Sequence, residues 1–266
     1  TDLTNTNNYG PWYEYFGNLV YDGADTIYFV GGHNGSGYTG DVWSYNISNN
    51  SWLQVTIASG SLPNVGSHRS VYYDNAIYAI GGWTGSNDTN YNTLYKFDLA
   101  SREWSTPSTS GTPPSGRRGL AINMYGSKLL IWGGFPYTND LWEIELDSTK
   151  SSPLTWVELH DGTGTAPSSA YEATMEVYND KLVLFGGSAN TEFWVFDLAS
   201  SSNGWTKITT TNTPTDPVFP KSAILNGKFY VYGGTGSNYA TYYFHALDLS
   251  TYVWTNITTT LSLSGM

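Results

Sequence analysis

Cysteine is absent from this sequence of 266 residues, and its absence excludes disulfide bonds, thiol catalysis and cysteine-ligated metal sites. Charged side chains are scarce, at 12% of the residues against an average of roughly 25%. A net charge of −11 and a pI near 4.5 argue against a nucleic-acid partner, because binding to phosphates requires a basic surface. No apolar run approaches the eighteen or so residues that span a bilayer, so no membrane insertion is predicted.

Glycine pairs and tryptophans, by contrast, are frequent and regularly spaced. Five Gly-Gly pairs recur at intervals of 47 to 53 residues, and a tryptophan follows the first glycine of each pair after 19 to 23 residues. Such a period with fixed internal spacing indicates a repeat architecture. The pairs are Gly31-Gly32, Gly81-Gly82, Gly133-Gly134, Gly186-Gly187 and Gly233-Gly234, and the tryptophans are Trp52, Trp104, Trp156, Trp205 and Trp254.

Each repeat contains four short segments that are typical of β-strands. In the second repeat they read "SHRSVYYD", "AIYAIGG", "TLYKFDL" and "EWSTP". Segments this short, rich in β-branched and aromatic residues and bounded by Gly, Asn, Asp and Ser, favour antiparallel sheet. No stretch shows sustained helical periodicity. The sequence therefore predicts an all-β chain.

The repeated residues resemble the kelch motif, which builds one blade of a β-propeller. The resemblance rests on the Gly-Gly pair that ends the second strand, on third strands such as "YKFDL", "VFDL" and "HALDL", and on the tryptophan that opens the fourth strand. It extends from about Gly10 to Thr260. It implies a single domain, residues 1–266, folded as a five-bladed kelch-type β-propeller with four antiparallel strands per blade. The blades are expected at about residues 10–57, 58–109, 110–160, 161–211 and 212–262.

The chain departs from the family pattern just before the first strand of each repeat, where kelch proteins often have Pro-x-Arg. Counting sixteen residues back from the next Gly-Gly pair, and two more in the first repeat, only the third repeat has an arginine, Arg117. The histidine that is frequent in the family is present only as His68. The matching positions elsewhere are Tyr13, Val65, Ala170 and Pro217.

The repeated glycines and tryptophans are predicted to be structural. A glycine pair permits positive φ and lets the backbone approach a neighbouring blade closely. A tryptophan contributes a large apolar surface that adjacent blades can bury between them. Trp104, Trp156 and Trp205 should therefore be mostly buried.

The sequence offers little for catalysis. The four histidines, His33, His68, His160 and His245, have no metal-ligand spacing, although a two-histidine site at His33 and His68 stays open as an alternative. No Ser-His-Asp pattern, phosphate loop or nucleotide fingerprint is present. Copper-radical oxidases also use a kelch-like propeller, but their cofactor requires a cysteine-linked tyrosine. The prediction is a non-catalytic chain without metal or cofactor.

A binding surface is predicted where two sets of connections meet at one end of the blades. The first set follows each Gly-Gly pair and the second precedes each first strand. Both sets are rich in aromatic residues with isolated charges, which are enriched at binding hot spots, although the aromatics could instead only cap the core. The candidates are Tyr13, Tyr15, His33, His68, Trp83, Arg117, Arg118, Phe135, Tyr137, Tyr171, Glu172, Phe219, Lys221 and Tyr239.

Three functions are compatible with such a surface. The first is a protein-interaction or assembly module, whose partner is another protein or a second copy of the chain. The second is a lectin-like propeller, since aromatic platforms with a few polar groups suit sugar rings. The third is a sugar-modifying enzyme of the kelch group. The residues after Gly-Gly differ in every repeat, which favours one composite site over repeated sugar pockets.

An extracellular or cell-surface location is predicted from the low charge and the abundance of Tyr, Ser, Thr and Asn. Five N-x-S/T sequons are present, about the number that the composition alone would produce, so their count is uninformative. Their placement near turns makes most of them accessible, and the chain is expected to be a glycoprotein. The candidate acceptors are Asn34, Asn46, Asn49, Asn87 and Asn256.

Overall fold

Five sheets, one for each repeat and each with four antiparallel strands, make up the computed structural model of the chain. It describes residues 10–11, 16–85, 89–188, 191–200, 204–215, 219–233 and 244–257. In every sheet these four antiparallel strands lie side by side in chain order. The predicted all-β architecture of five four-stranded units is confirmed. The described part of the chain contains no apolar helix of the length that a bilayer crossing requires.

The strands are short. The first sheet contains β1 (Asn18–Tyr21), β2 (Thr26–His33), β3 (Tyr38–Asn46) and β4 (Ser51–Gln54). The second contains β5 (Gly66–Tyr73), β6 (Ala76–Trp83), β7 (Tyr95–Asp98) and β8 (Glu103–Ser105). The third contains β10 (Ala121–Tyr125), β11 (Lys128–Gly134), β12 (Thr138–Glu145) and β13 (Leu154–His160), with β9 (Thr109–Ser110) parallel to β13. The fourth contains β14 (Thr174–Tyr178), β15 (Lys181–Phe185), β16 (Phe193–Asp197) and β17 (Trp205–Ile208). The fifth contains β18 (Lys221–Leu225), β19 (Lys228–Tyr232), β20 (Phe244–Asp248) and β21 (Val253–Asn256).

An aspartate ends the third strand in three of these sheets and forms the turn that follows. The Asp98 carboxylate accepts backbone N–H bonds from Ala100 (3.0 Å) and Ser101 (2.9 Å). Asp197 and Asp248 accept the corresponding bonds. Short polar side chains that bond to backbone two or three residues ahead are typical of tight turns. The "FDL" and "LDL" sequences are therefore turn signals.

Side chains alternate between the two faces of each sheet, and the fourth-strand tryptophan lies on one of these faces. We call this side the tryptophan face and the other side the reverse face. The tryptophan face of the fifth sheet includes Trp254, whose ring lies 4.8 Å from that of Phe185 on the reverse face of the fourth sheet. The second sheet packs on the reverse face of the first in the same way, through Trp104 and Phe97. Each of these two junctions buries a continuous apolar core between two sheets.

The expected burial of the tryptophans is confirmed. Trp104 and Trp156 are each 5% exposed and Trp205 is 3% exposed. Trp254 at 1% belongs to the same group, whereas Trp52 of the first sheet is only half-buried. Trp52 therefore differs from the other four in its surroundings rather than in its place in the repeat.

Packing divides the chain into two compact units. The first comprises residues 1–120, 126–129 and 143–157, and the second comprises residues 121–125, 130–142 and 158–266. The first and second sheets lie in the first unit and the fourth and fifth lie in the second. The third sheet contributes strands to both.

Polar side chains connect the first strands of consecutive sheets. The Asn18 carboxamide oxygen accepts the Ser70 backbone N–H at 2.8 Å in the first unit. In the second unit the Glu176 carboxylate accepts bonds from Asn123 at 2.9 Å and from Ser222 at 2.8 Å. Burial raises the pKa of Glu176, and these two bonds oppose the rise. Because buried polar groups cost free energy unless they are bonded, these links favour one fixed spacing of the strands.

Candidate functional site

Where the structure describes both predicted sets of connections, they meet at one end of the sheet, which we call the loop end. In the second sheet Gly66, at the start of the first strand, pairs with Trp83, at the end of the second strand. Antiparallel pairing forces this arrangement, because the start of one strand must lie beside the end of its neighbour. Residues after Gly-Gly and residues before the first strand therefore share the loop end.

At the position where kelch proteins often have arginine, the backbone carbonyl oxygen accepts a hydrogen bond from the second glycine of the preceding Gly-Gly pair. The Gly82 N–H donates to the Arg117 carbonyl at 2.9 Å, and the Gly134 N–H donates to the Ala170 carbonyl at 2.9 Å. Both carbonyls lie sixteen residues before the next Gly-Gly pair. A carbonyl oxygen is available from any residue, so the side chain at this position can change without loss of the bond. This explains why the repeats keep the spacing and vary the residue.

Two residues further along, the backbone has a left-handed conformation in four repeats. The φ angles are 55° at Ser67, 59° at Gly119, 57° at Glu172 and 55° at Phe219. Only glycine adopts this conformation without cost, and other residues lose roughly 1–2 kcal/mol. Three repeats keep a side chain here despite the strain. Strained non-glycine residues of this kind concentrate at functional sites.

In the first unit, the candidates Trp83 and Arg118 form the centre of a stacked group. The Arg118 guanidinium lies 4.0 Å from the centroid of the Trp83 ring, and its Nη1 donates to the Asn90 carboxamide oxygen at 3.2 Å. The Tyr38 ring packs beside two other rings, with its centroid 6.5 Å from that of Trp83 and 5.0 Å from that of His33. We call Tyr38, Trp83, Asn90 and Arg118 the arginine–tryptophan cluster.

Tyr38 and Asn90 were not predicted as site residues. Tyr38 is the first residue of β3 and Asn90 follows the loop after β6, so neither lies directly next to a Gly-Gly pair or a first strand. Their aromatic and amide side chains are ordinary in sequence. Only their contacts in the structure, of Tyr38 with Trp83 and of Asn90 with Arg118, identify them as members of the candidate site.

His68 and Arg117 lie inside the protein, so they support the surface and cannot contact a partner directly. Arg117 is 1% exposed, and its Nε and Nη2 donate to the backbone oxygen and the hydroxyl of Ser115, both at 3.0 Å. His68 is fully buried, and a Cβ on Gly31 would come within 2.8 Å of its Cε1. Burial, assisted by the charge of Arg69, lowers the pKa of His68 to about 4, so the ring is neutral at physiological pH.

Metal chemistry finds no support at the loop end. Within the described residues there is no group of three or more His, Asp or Glu side chains that could hold an ion. His33 uses its Nδ1 to accept the Gly35 N–H at 3.0 Å. His245 is buried and its ring lies 6.5 Å from that of Trp254, so it belongs to the core.

In the second unit, four candidates form one continuous group that we call the aromatic cluster. Its members are Phe135, Tyr137, Tyr171 and Phe219. The ring centroids are 5.5 Å apart for Phe135 and Tyr137, 5.6 Å for Tyr137 and Tyr171, and 5.5 Å for Tyr171 and Phe219, all edge to face. This is the favoured geometry for aromatic pairs. Tyr137 is 56% exposed and Phe219 is 36% exposed, so much of the cluster faces solvent.

An ion pair borders the aromatic cluster. Lys221 Nζ lies 3.5 Å from a carboxylate oxygen of Glu172, and the Lys221 side chain is 68% exposed against 13% for Glu172. The Tyr171 N–H donates to the Ser188 hydroxyl at 3.2 Å, which holds the segment before β14 against the loop after Gly-Gly. The cluster therefore presents aromatic rings with one accessible positive charge beside them. The candidates Tyr13, Tyr15 and Tyr239 lie outside the described residues.

The sequons differ in their surroundings. Asn34, Asn49 and Asn256 are exposed. The Asn46 amide nitrogen donates to the Asp25 carboxylate at 2.7 Å, and glycosylation would have to break this bond. Asn87 lies outside the described residues.

Comparison with family models supports the repeat assignment. Residues 67–264 match a model described as the KLHDC2/KLHL20/DRC7 Kelch-repeats domain. Residues 24–57 match the Kelch motif. The two matches together include residues from all five sheets.

Several curated proteins are similar to the chain over most of its length. Acyl-CoA-binding domain-containing protein 5 of Arabidopsis thaliana is 26% identical over 254 residues, 88% of this chain and 38% of that protein. Tip elongation aberrant protein 1 of Schizosaccharomyces pombe is 30% identical over 71% of this chain and 17% of its own length. Kelch domain-containing protein 3 of Bos taurus is 28% identical over 63% of this chain and 46% of its own. The chain thus spans less than half the length of each of these relatives.

Proposed function

Because the chain belongs to the kelch-repeat family and folds as a five-bladed β-propeller, we propose that it is a non-catalytic protein-binding module that contacts its partner through the loop end. Kelch propellers are typically protein-interaction modules. The observation that carries the proposal is the stacking of Arg118 on Trp83 at 4.0 Å.

The arginine–tryptophan cluster suits an acidic segment of a partner protein. The Arg118 guanidinium is held by Trp83 and Asn90 before any partner binds, which lowers the entropy cost of binding. Tryptophan, tyrosine and arginine are also the residue types that dominate binding energy at interfaces. Of the four arginines of this acidic chain, Arg69 lies within β5, Arg117 is enclosed, and Arg118 lies at the loop end beside Trp83. Carboxylate groups of a partner would be attracted there and repelled by most of the remaining surface.

The aromatic cluster provides a second contact of different character. Its exposed rings would bury apolar or aromatic side chains of the partner, and Lys221 would orient an acidic group beside them. Phe219 and Glu172 keep their side chains at strained backbone positions, where glycine would be less costly. Strained positions that carry a side chain concentrate at functional sites, which supports a binding role.

The exposed Tyr137 ring favours one alternative, a glycan ligand, since sugar rings stack on aromatic faces. A glycan partner would contact the aromatic cluster and would not depend on the arginine–tryptophan cluster. The two candidates are therefore separable by mutation. No arrangement of side chains in the described residues favours a sugar-modifying reaction.

The test is selection of a displayed random-peptide library on the wild-type protein, followed by affinity measurement of the selected peptides. We expect acidic peptides, and we expect Arg118→Ala to weaken their binding by about 10–30-fold, the range of a hot-spot residue. Arg102→Ala is the matched control, because Arg102 is the one remaining arginine and lies exposed in the turn between β7 and β8. It should leave the affinity unchanged.

Two results would contradict the protein-binding proposal. One is a selection that yields no peptide whose affinity depends on Arg118. The other is a glycan array, probed in parallel, on which the wild-type protein binds one sugar family. In that case Tyr137→Ala would abolish the binding and Arg118→Ala would not. The second result would establish the glycan alternative.

We further propose that the chain acts outside the cell or at its surface. The low charge of the chain and the exposure of Asn34 and Asn49 support this location. Protein purified from its natural source should lose mass on treatment with an N-glycosidase, and Asn34→Gln with Asn49→Gln should remove most of that loss. Natural protein of unmodified mass would contradict the expectation.

A further inference from the structure

The turn that joins β2 to β3 brings a base, a backbone N–H and a side-chain carbonyl together within five consecutive residues. The Gly35 backbone N–H donates to the Nδ1 atom of His33 at 3.0 Å. The Asn34 carboxamide oxygen accepts the backbone N–H of Ser36 at 3.0 Å and that of Gly37 at 3.1 Å. Asn34, Gly35 and Ser36 are exposed, so water reaches the turn.

This arrangement matches what an asparagine needs in order to react with its own backbone. The nitrogen of the residue that follows an asparagine can attack the side-chain carbonyl carbon and close a five-membered imide ring, with loss of ammonia. An amide nitrogen is a poor nucleophile until a neighbouring base accepts its proton. The attacked carbonyl oxygen becomes negative, and backbone N–H groups aimed at it stabilise that charge.

Each of these requirements is met in the turn. His33 accepts through Nδ1, so this nitrogen carries no proton and can take the proton of Gly35. The two N–H donors to the Asn34 oxygen lie where the negative charge develops. Gly35 has a φ of 88° and nothing lies within 4 Å of the place of its Cβ, so no side chain obstructs the attack.

Packing holds the base in place. The His33 ring meets the Tyr38 ring edge to face, with 5.0 Å between the centroids. Tyr38 is itself confined, because a Cβ on Gly66 would come within 2.2 Å of its ring. The Asn34 N–H donates to the Gly37 carbonyl at 3.0 Å and closes the turn. Groups that are fixed in this way need little reorganisation before they react.

We propose that Asn34 is a self-modification site, at which the chain converts this asparagine to an imide and then to aspartate or isoaspartate. The His33 Nδ1 takes the Gly35 proton. The Gly35 nitrogen then forms a bond to the Asn34 Cγ, while the carbonyl electron pair moves to Oδ1. When the carbonyl re-forms, the bond from Cγ to Nδ2 breaks, and the amide leaves as ammonia with the proton from His33.

Water completes the conversion. Its oxygen adds to one of the two imide carbonyl carbons, and the bond from that carbon to the Gly35 nitrogen breaks. Addition at Cγ gives an aspartate, and addition at the backbone carbon gives an isoaspartate, in which the chain runs through the side chain. One water is consumed and one ammonia is released, with no change of oxidation state.

The new carboxylate would lie beside the arginine–tryptophan cluster, because Tyr38 contacts both His33 and Trp83. A negative charge there would disfavour an acidic partner, so the conversion would weaken binding at the loop end over time. This consequence rests on the proposed function. The conversion itself does not rest on it, and the test below measures mass rather than binding.

A second Asn-Gly pair in the same chain provides a matched control. Asn226 and Gly227 form the turn between β18 and β19, with φ angles of 50° and 72°. The residues on either side, Leu225 and Lys228, are paired with each other. Because leucine precedes this asparagine, the pair lacks the imidazole that precedes Asn34.

The test is peptide mapping by mass spectrometry of the full chain, made without N-glycans and incubated in heavy-oxygen water at neutral pH. We expect one heavy oxygen to enter at Asn34, and we expect Asn34 to convert faster than Asn226. Asn34 should also convert faster in the native protein than in guanidinium chloride, because denaturation removes the fixed base and the two N–H donors. Asn226 should not be accelerated by folding.

Two variants test the base. His33→Phe keeps a ring beside Tyr38 and should slow the conversion of Asn34 by about 100-fold, the lower end of the range for a positioned general base. His33→Gln keeps a hydrogen-bond acceptor that is not a base, and it should be as slow as His33→Phe. Both should leave Asn226 unchanged, and thermal melting checks that both are folded.

The proposal would be overturned if native Asn34 converted no faster than Asn226 or than the denatured chain. A wild-type rate in His33→Phe would also overturn it. A wild-type rate in His33→Gln would reject His33 as the base, because an acceptor alone would then be sufficient.

Discussion

Replacement of Trp254 by alanine should lower the free energy of unfolding by about 3–5 kcal/mol, the range for removing a large buried side chain. Trp254 is 1% exposed and lies between two sheets, 4.8 Å from Phe185 and 6.1 Å from Phe229 between ring centroids. The alanine variant would leave a cavity that neither sheet can fill, because both backbones are held by their own ladders of hydrogen bonds. Denaturant titration followed by circular dichroism measures the loss.

Trp52→Ala is the matched control, since Trp52 has the same place in the repeat and is only half-buried. It should cost clearly less than Trp254→Ala. Equal losses at the two positions would show that the ring acts within its own sheet rather than between sheets.

Gly81→Ala should also destabilise the protein strongly, by about 2–5 kcal/mol, because two separate costs add. The φ angle of Gly81 is 79°, so any side chain strains the backbone. In addition, a Cβ there would come within 2.6 Å of Leu120 Cδ2 and 2.7 Å of the Arg117 carbonyl oxygen. The carbonyl cannot withdraw easily, because it already accepts the Gly82 N–H.

Gly126→Ala separates the two costs. Gly126 has a φ of 60° and nothing lies within 4 Å of the place of its Cβ, so only the backbone strain of roughly 1–2 kcal/mol should remain. Thermal and chemical unfolding of the two variants side by side measure the difference. If Gly81→Ala were no worse than Gly126→Ala, close approach of the next sheet would not be the reason for the glycine pair.

The repeat, the number of sheets and the burial of the tryptophans could all be derived from the order of residues. These features depend on local rules: alternation sets the strands, Asp98 and its equivalents set the turns, and positive φ selects glycine. A large ring at a fixed interval favours burial against a neighbouring sheet, as at Trp205, although Trp52 at the same place in the repeat is only half-buried. Family membership follows from the same spacing, since the spacing is what the chain shares with its relatives.

The site was determined only in outline by the sequence. Antiparallel pairing brings the two sets of connections together, so the position of the loop end in each sheet could be predicted. The roles of single side chains depended on contacts between distant segments: His68 and Arg117 are enclosed, whereas Tyr38 and Asn90 join the surface around Trp83 and Arg118.

Only the tertiary structure distinguished the first and the last repeat from the repeats between them. Trp52 and Leu225 look like ordinary members of their repeat positions, yet Trp52 is half-buried and Leu225 is 61% exposed. A sequence states that a face is apolar, and it cannot state whether a neighbour is present to cover it. Burial is a property of two surfaces in contact, so it is decided when the sheets pack.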